Sequence, residues 1–226
     1  MRLFITTISF IILQVITAQN NQQISRFKGN IEVSAYPIHK ASLLGLTSTD
    51  SPTFGVGFKG SYANWSFYSL TFHELNNAGL VLSQSESNLN YKILENEKFK
   101  ISVYNTFVST VKNSALYMIP TVSIGIGESK SFNIDLTPYT WGFNSKLKGY
   151  TYSAMYNFDK KINSDFNYGF LSKAVYTDIQ PVYSGFIGEI SPFLKWKSYS
   201  VQTRFIYQFS HQHFVYDLNM KKVINF

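Results

Sequence analysis

The chain has 226 residues, no cysteine and a formal charge of +7. Without cysteine there is no disulfide framework, thiolate metal site or thiol nucleophile. The positive charge would suit nucleic acid, but arginine occurs only at Arg2, Arg26 and Arg204, which excludes an arginine-rich binding helix.

Arg2 is followed by an apolar run from Leu3 to Ile16, broken only by Thr6, Thr7, Ser9 and Gln14. Cleavage at Ala18-Gln19 makes residues 1–18 a secretory signal peptide, although Ile16 is bulkier than usual three residues before a cut. The run is short for a membrane-spanning helix of about 20 residues. No cysteine follows it, so lipoprotein anchoring is excluded. Residues 19–226 are expected to form a single domain.

The rest of the chain alternates with a period of two. Phe99, Ile101, Val103 and Phe107 oppose Lys100, Ser102, Tyr104 and Thr106. Leu116, Met118, Val122, Ile124 and Ile126 oppose Tyr117, Thr121, Ser123 and Gly125. Phe132, Ile134 and Leu136 oppose Asn133, Asp135 and Thr137; Tyr150, Tyr152, Ala154, Tyr156 and Phe158 oppose Thr151, Ser153, Met155 and Asn157. Two further aromatic runs, Phe166–Phe170 and Tyr199–Phe209, behave alike. The last thirteen residues put Phe214, Tyr216, Leu218, Met220, Ile224 and Phe226 on one face. Val215, Asp217, Asn219, Lys221, Val223 and Asn225 take the other. One apolar face and one mostly polar face is what a strand between lipid and a lumen requires.

Turn signals fall in two alternating series. One comprises Ala63-Asn64, Glu95–Glu97, Glu128–Lys130, Asp159–Ser164 and Lys197-Ser198. The other comprises His39–Pro52, Asn76–Asn88, Lys112–Ser114, Phe143–Lys146, Asp178–Pro181 and His211–His213. Together they delimit about twelve strands, or about ten if one of the weaker pieces, Asn30–Pro37 or Asn88–Leu94, is not a strand. An open sheet edge cannot sit in hydrocarbon, so the expected fold is all-β: a closed antiparallel transmembrane up-and-down β-barrel.

Taken together, the leader, the alternation, tryptophans at both rims (Trp65 and Trp196 at one, Trp141 at the other) and the terminal Phe226 resemble a Gram-negative outer-membrane β-barrel protein. The resemblance implies outer-membrane lipids as surroundings and recognition of Phe226 by the barrel-assembly machinery. It carries no subfamily motif. The function it suggests is a small structural or assembly component of an envelope complex, or a narrow channel. A membrane-embedded hydrolase and a soluble periplasmic β-sandwich or lipid-binding barrel are the alternatives.

Expected lumen charges are Lys59, Lys100, Asp135, Lys173, Glu189, Lys195, Arg204 and Asp217, with Glu32 and Lys221 at the same parity. They either pair across strands or line a pore. Inward Tyr104, Tyr117, Tyr139, Tyr183 and Phe193 favour a filled or strongly constricted interior. Lysines at 28, 59, 98, 130, 160, 161, 195, 197, 221 and 222 collect at the tight-turn rim, where an envelope or periplasmic protein with acidic character could dock. No convincing catalytic constellation, cofactor motif or metal set emerges. His211 and His213 lack a third ligand, and Ser69, Thr71 and His73 share a face without a nucleophile motif.

Overall fold

Alternation of apolar and polar side chains folds the chain into strands, and no helix occurs among the described residues. The structure, a computed structural model, describes residues 27–39, 51–111, 114–127, 131–143, 148–180 and 183–225. The predicted signal peptide and Phe226 lie outside the described residues. In chain order the strands are β1 (Lys28–His39), β2 (Thr53–Tyr62), β3 (Trp65–Asn76), β4 (Gly79–Glu95), β5 (Phe99–Thr110) and β6 (Ala115–Ile126). They continue as β7 (Phe132–Gly142), β8 (Lys148–Lys161), β9 (Phe166–Gln180), β10 (Tyr183–Trp196), β11 (Tyr199–Gln208) and β12 (His213–Asn225). Each pairs antiparallel with its sequence neighbour, and β12 pairs with β1, so the sheet is a closed twelve-stranded up-and-down barrel. Both strands judged weakest from sequence are present: Asn30–Pro37 lies in β1 and Asn88–Leu94 in β4.

Asparagines build several of the turns. Asn96 Oδ1 accepts the amides of Lys98 and Phe99 at 2.9 and 2.8 Å; Asn163 Oδ1 accepts those of Asp165 and Phe166, both at 2.9 Å. Such side chains replace a backbone turn partner. The same device corrects the expected Asn76–Asn88 break. Asn76 Oδ1 accepts the Ala78 amide at 2.9 Å, Gly79 takes a φ of +99°, and β4 starts there to run 17 residues. The polar segment from Ser83 to Asn90 is therefore strand, with its inner residues facing the lumen.

Facing follows the predicted parity, with one exception. Outward Phe186 and Ile190 are 60% and 58% exposed, while inward Asp217 and Ser191 are fully buried. Tyr139, expected inside, stands outside. Thr137 pairs with Thr151 and Thr140 with Gly149, so β7 holds one extra residue at Pro138-Tyr139. That bulge breaks the alternation and returns Thr140 to the inner face.

Candidate pore interior

Large inward side chains lie against the wall, over glycines. A Cβ at Gly55 would collide with Ser34 Oγ and come 3.6 Å from the Tyr36 ring. One at Gly57 would come 3.3 Å from both Tyr68 and Leu70, and one at Gly169 2.6 Å from Phe193. Tyr36, Leu70 and Phe72 form one buried cluster with Tyr68 packed against it. Tyr117, Val108, Ala115 and Ile179 form a second, where Gly142 and Gly149 leave the wall bare between β6 and β9. A third joins Val175, Tyr183, Ile187 and Ile206. Tyr183 donates its hydroxyl to the Phe186 carbonyl at 2.8 Å, which ties it to its own strand. Of the aromatics expected to fill the lumen, Tyr117 and Tyr183 thus lie in these buried clusters and Phe193 lies beside Gly169.

All eight predicted lumen charges occupy inward register positions. Arg204 on β11 sits between two carboxylates. Its Nε and Nη2 donate to Glu189 at 2.9 and 3.2 Å, and Nη1 to Asp217 at 3.3 Å. Ser191 Oγ donates to Glu189 at 2.7 Å. Planar guanidinium suits such double contact. Lys173 is the register partner of Glu189 and lies within electrostatic reach of Asp135. Asp135 accepts from Ser123 at 2.6 Å and from Tyr104 at 3.2 Å.

The sequence reading missed two members. Glu86 on β4 faces Tyr68 and Tyr104 and has no ion-pair partner among the described residues. Its segment reads from the sequence as part of the Asn76–Asn88 break. Asp159, assigned to a turn, is in β8 and pairs with Lys195 at 2.9 Å. Lys221 pairs with Glu32 at 2.9 Å. Tyr36 stands near Glu32, Arg204 and Asp217, so the polar groups close into a belt around the wall. Lys59, Lys100, Lys195 and Lys221 also face inward, in the halves of their strands nearer the end that carries both termini, as do Glu32 and Asp135.

Several inward oxygens have no protein partner among the described residues: Asn90 Oδ1, Asn219 Oδ1, Thr110 Oγ1 and Thr140 Oγ1. Buried polar atoms are nearly always satisfied, by water where protein does not serve.

The outer face has a different chemistry. Trp65 and Trp196 stand outward at the termini end, and Trp141 outward at the opposite end. Trp65 meets Tyr91 at 4.7 Å, Trp196 stacks with Tyr199 at 6.0 Å, and Trp141 with Phe143 at 5.0 Å. Lys197 covers Trp196 and Lys222 covers Tyr199, at 5.3 and 5.1 Å. An outer furrow of about 410 Å3, bounded by Trp65, Leu89, Val103, Pro120 and Pro138, is apolar.

Ser69, Thr71 and His73 also face outward, His73 four positions beyond Ser69 along one extended strand. At ~3.3 Å per residue they are about 13 Å apart, far beyond the direct contact a Ser–His pair needs. Ser69 instead bonds Ser87 at 3.1 Å, and Thr71 bonds the Val56 carbonyl at 3.3 Å. His211 makes an edge contact with the Tyr183 ring at 4.9 Å, and no group of three metal-ligating side chains occurs among the described residues.

No family model matches the chain, and no curated protein matches it. Solved structures do. A structure of the NanC porin superposes with a TM-score of 0.54 at 10% identity, covering 86% of this chain and 97% of that one. The KdgM porin superposes with a TM-score of 0.52 at 12% identity, covering 88% and 98%. At such identity the likeness is one of fold: this chain has the barrel architecture of outer-membrane porins.

Proposed function

We propose that the chain is a narrow channel of the Gram-negative outer membrane rather than an enzyme. The observation that carries this reading is the sorting of chemistry by a closed wall: large apolar side chains outside, the buried charges of the Arg204 cluster inside. A soluble barrel would leave that apolar exterior in water, which folded soluble proteins avoid. Similarity to two porin folds supports the same reading. In this proposal residues 1–18 are a cleaved leader and residues 19–226 the barrel domain. Trp65, Trp141 and Trp196 sit at the headgroup level, and Phe226 is read by the assembly machinery. The lysine rim, with Lys28, Lys98, Lys160, Lys161, Lys197 and Lys222, faces anionic headgroups or an acidic envelope partner.

Two measurements test it together. Outer-membrane fractions should contain a species that migrates differently on gels before and after boiling. The purified barrel should give small, discrete current steps in planar bilayers. A heat-modifiable barrel with no current at all would leave a structural or assembly component as the better reading; a boiling-insensitive soluble protein would remove both.

A further inference from the structure

The outer wall is not apolar all the way round. Ser69, Thr71 and His73 on β3, Ser85 and Ser87 on β4 and Ser109 on β5 make one outward patch, joined by the register pairs Ser69↔Ser87, Thr71↔Ser85 and Ser85↔Ser109. Mid-strand outward positions elsewhere are Tyr152, Ala154 and Tyr156 on β8, and Gly188, Ile190 and Pro192 on β10. We propose that the wall around β4 and β5 is covered by a second copy of the chain and not by lipid, with Asn105 on the two-fold axis. The proposal rests on the membrane-barrel reading and is independent of conduction.

Asn105 is the residue that needs a partner. It lies midway along β5 and faces outward, in one cross-strand row with Leu89 and Pro120. Its Oδ1 is buried and accepts no hydrogen bond among the described residues. The hydroxyls nearby differ: Ser69 bonds Ser87 at 3.1 Å and Thr71 bonds the Val56 carbonyl at 3.3 Å. An amide oxygen left unpaired at mid-depth in hydrocarbon is costly. The interior of the bilayer offers it acyl chains, which donate nothing.

A second copy offers the missing group at the right height. All copies insert with the same end toward the periplasm, so a two-fold between neighbours runs along the membrane normal. It carries every residue to its own depth, and a mid-depth Asn105 meets the same residue of the second copy. A carboxamide has both a donor and an acceptor, so two of them satisfy each other. The local shape allows the approach. The outer furrow of about 410 Å3 has Asn105 and Pro120 in its floor, and serines on β4 lie beside it. Short side chains let two membrane walls come close, and polar ones then bond across the contact.

The chain has no cysteine, so one introduced cysteine reports on one position. In outer membranes, mild oxidation of the full barrel carrying Asn105→Cys should give a disulfide-linked dimer. Phe205→Cys, outward on β11 and six strands away round the barrel, should stay monomeric. In lipid vesicles, energy transfer between two dye-labelled populations should show association that weakens about tenfold in Asn105→Leu, the effect of losing a hydrogen-bonded polar contact within a membrane. Leucine suits lipid, and heat-modifiable migration checks that the variant folds. Equal linkage at 105 and 205, linkage of 105 to a different protein, or association that ignores Asn105→Leu would each overturn the proposal. So would a monomer whose Asn105→Leu form is merely more heat-stable, since that face then meets lipid. A wild type that is not heat-modifiable would overturn the membrane-barrel reading itself, and this inference with it.

Discussion

At the scale of single residues, Arg204 does the most to hold the interior together. It supplies three of the short contacts that keep Glu189 and Asp217 paired, in a site where its side chain is 16% exposed and that of Asp217 not at all. Removing one partner from a buried charged group costs more than the pair contributes, because the others stay desolvated. Arg204→Met should therefore destabilise the barrel by about 3–5 kcal/mol. Lys197 offers the contrast: its pair with Asp165 spans 3.7 Å and both side chains are at least half exposed. Lys197→Met should change stability by less than about 1 kcal/mol. The loss of the unboiled gel band with temperature or urea measures both. Equal midpoints for the two variants would mean that the Arg204 cluster is solvated and contributes little. That Arg204 and its two carboxylates face inward was legible from strand parity alone. That they touch was not, because contact depends on the register between three strands, which period two leaves open.

Strands and turns set what parity means. Ile190, on β10, is 58% exposed on the outer face, and Gln202, on the neighbouring β11, points inward. If the outer face meets hydrocarbon, Ile190→Arg should cost roughly 2–4 kcal/mol, and Gln202→Arg far less. Equal costs in urea unfolding from lipid vesicles would contradict the membrane reading. The bulge at Pro138-Tyr139 is the place where simple alternation fails, and it explains why Tyr139 was expected inside. Downstream, Thr140 and Gly142 face in and Trp141 faces out only because β7 carries one residue more than both neighbours. Deleting Pro138 would remove the extra residue and restore strict alternation with Tyr139 and Trp141 still outward and Thr140 inward, in register with both neighbours. The expected result is that the heat-modifiable form is retained; loss of it would mean that the bulge itself is required. The other element that sequence reading missed, the first half of β4, was hidden by its composition. Ser83 to Asn90 is rich in serine and asparagine, which weakens the outward apolar signal. Its outward hydroxyls survive on an apolar face because they are satisfied locally, Ser69 by Ser87 and Ser83 by the Phe72 carbonyl at 3.1 Å.

For the molecule as a whole, alternation, turn spacing and closure were enough to give the barrel and its strand number, since a sheet in lipid has no other way to satisfy its edges. The state of the lumen was not legible, because counting inward aromatics says how much volume they occupy and not which way they lean. The glycines decide that. Gly55 and Gly57 leave bare backbone on β2, and Tyr36, Tyr68 and Leu70 lie over it. Side-chain volume at these positions is packed over bare backbone, where a larger residue on β2 would have to displace it. The lumen should then narrow when the bare wall is filled. A Cβ at Gly57 meets Tyr68 and Leu70 at 3.3 Å, close enough that one must give way, at a cost of about 1–3 kcal/mol. Tyr68 is the freer of the two, since Leu70 is buried in the apolar cluster and Tyr68 only borders it. Gly57→Ala should therefore swing Tyr68 inward and reduce unit conductance in planar bilayers. Tyr68→Ala should increase it. Gly188 on β10 faces outward, where an added Cβ would meet Phe209 at an ordinary 3.4 Å, so Gly188→Ala should leave the current unchanged. If Gly57→Ala and Gly188→Ala conduct alike, and Tyr68→Ala conducts no better than the wild type, the narrowest point lies away from the bare wall of β2.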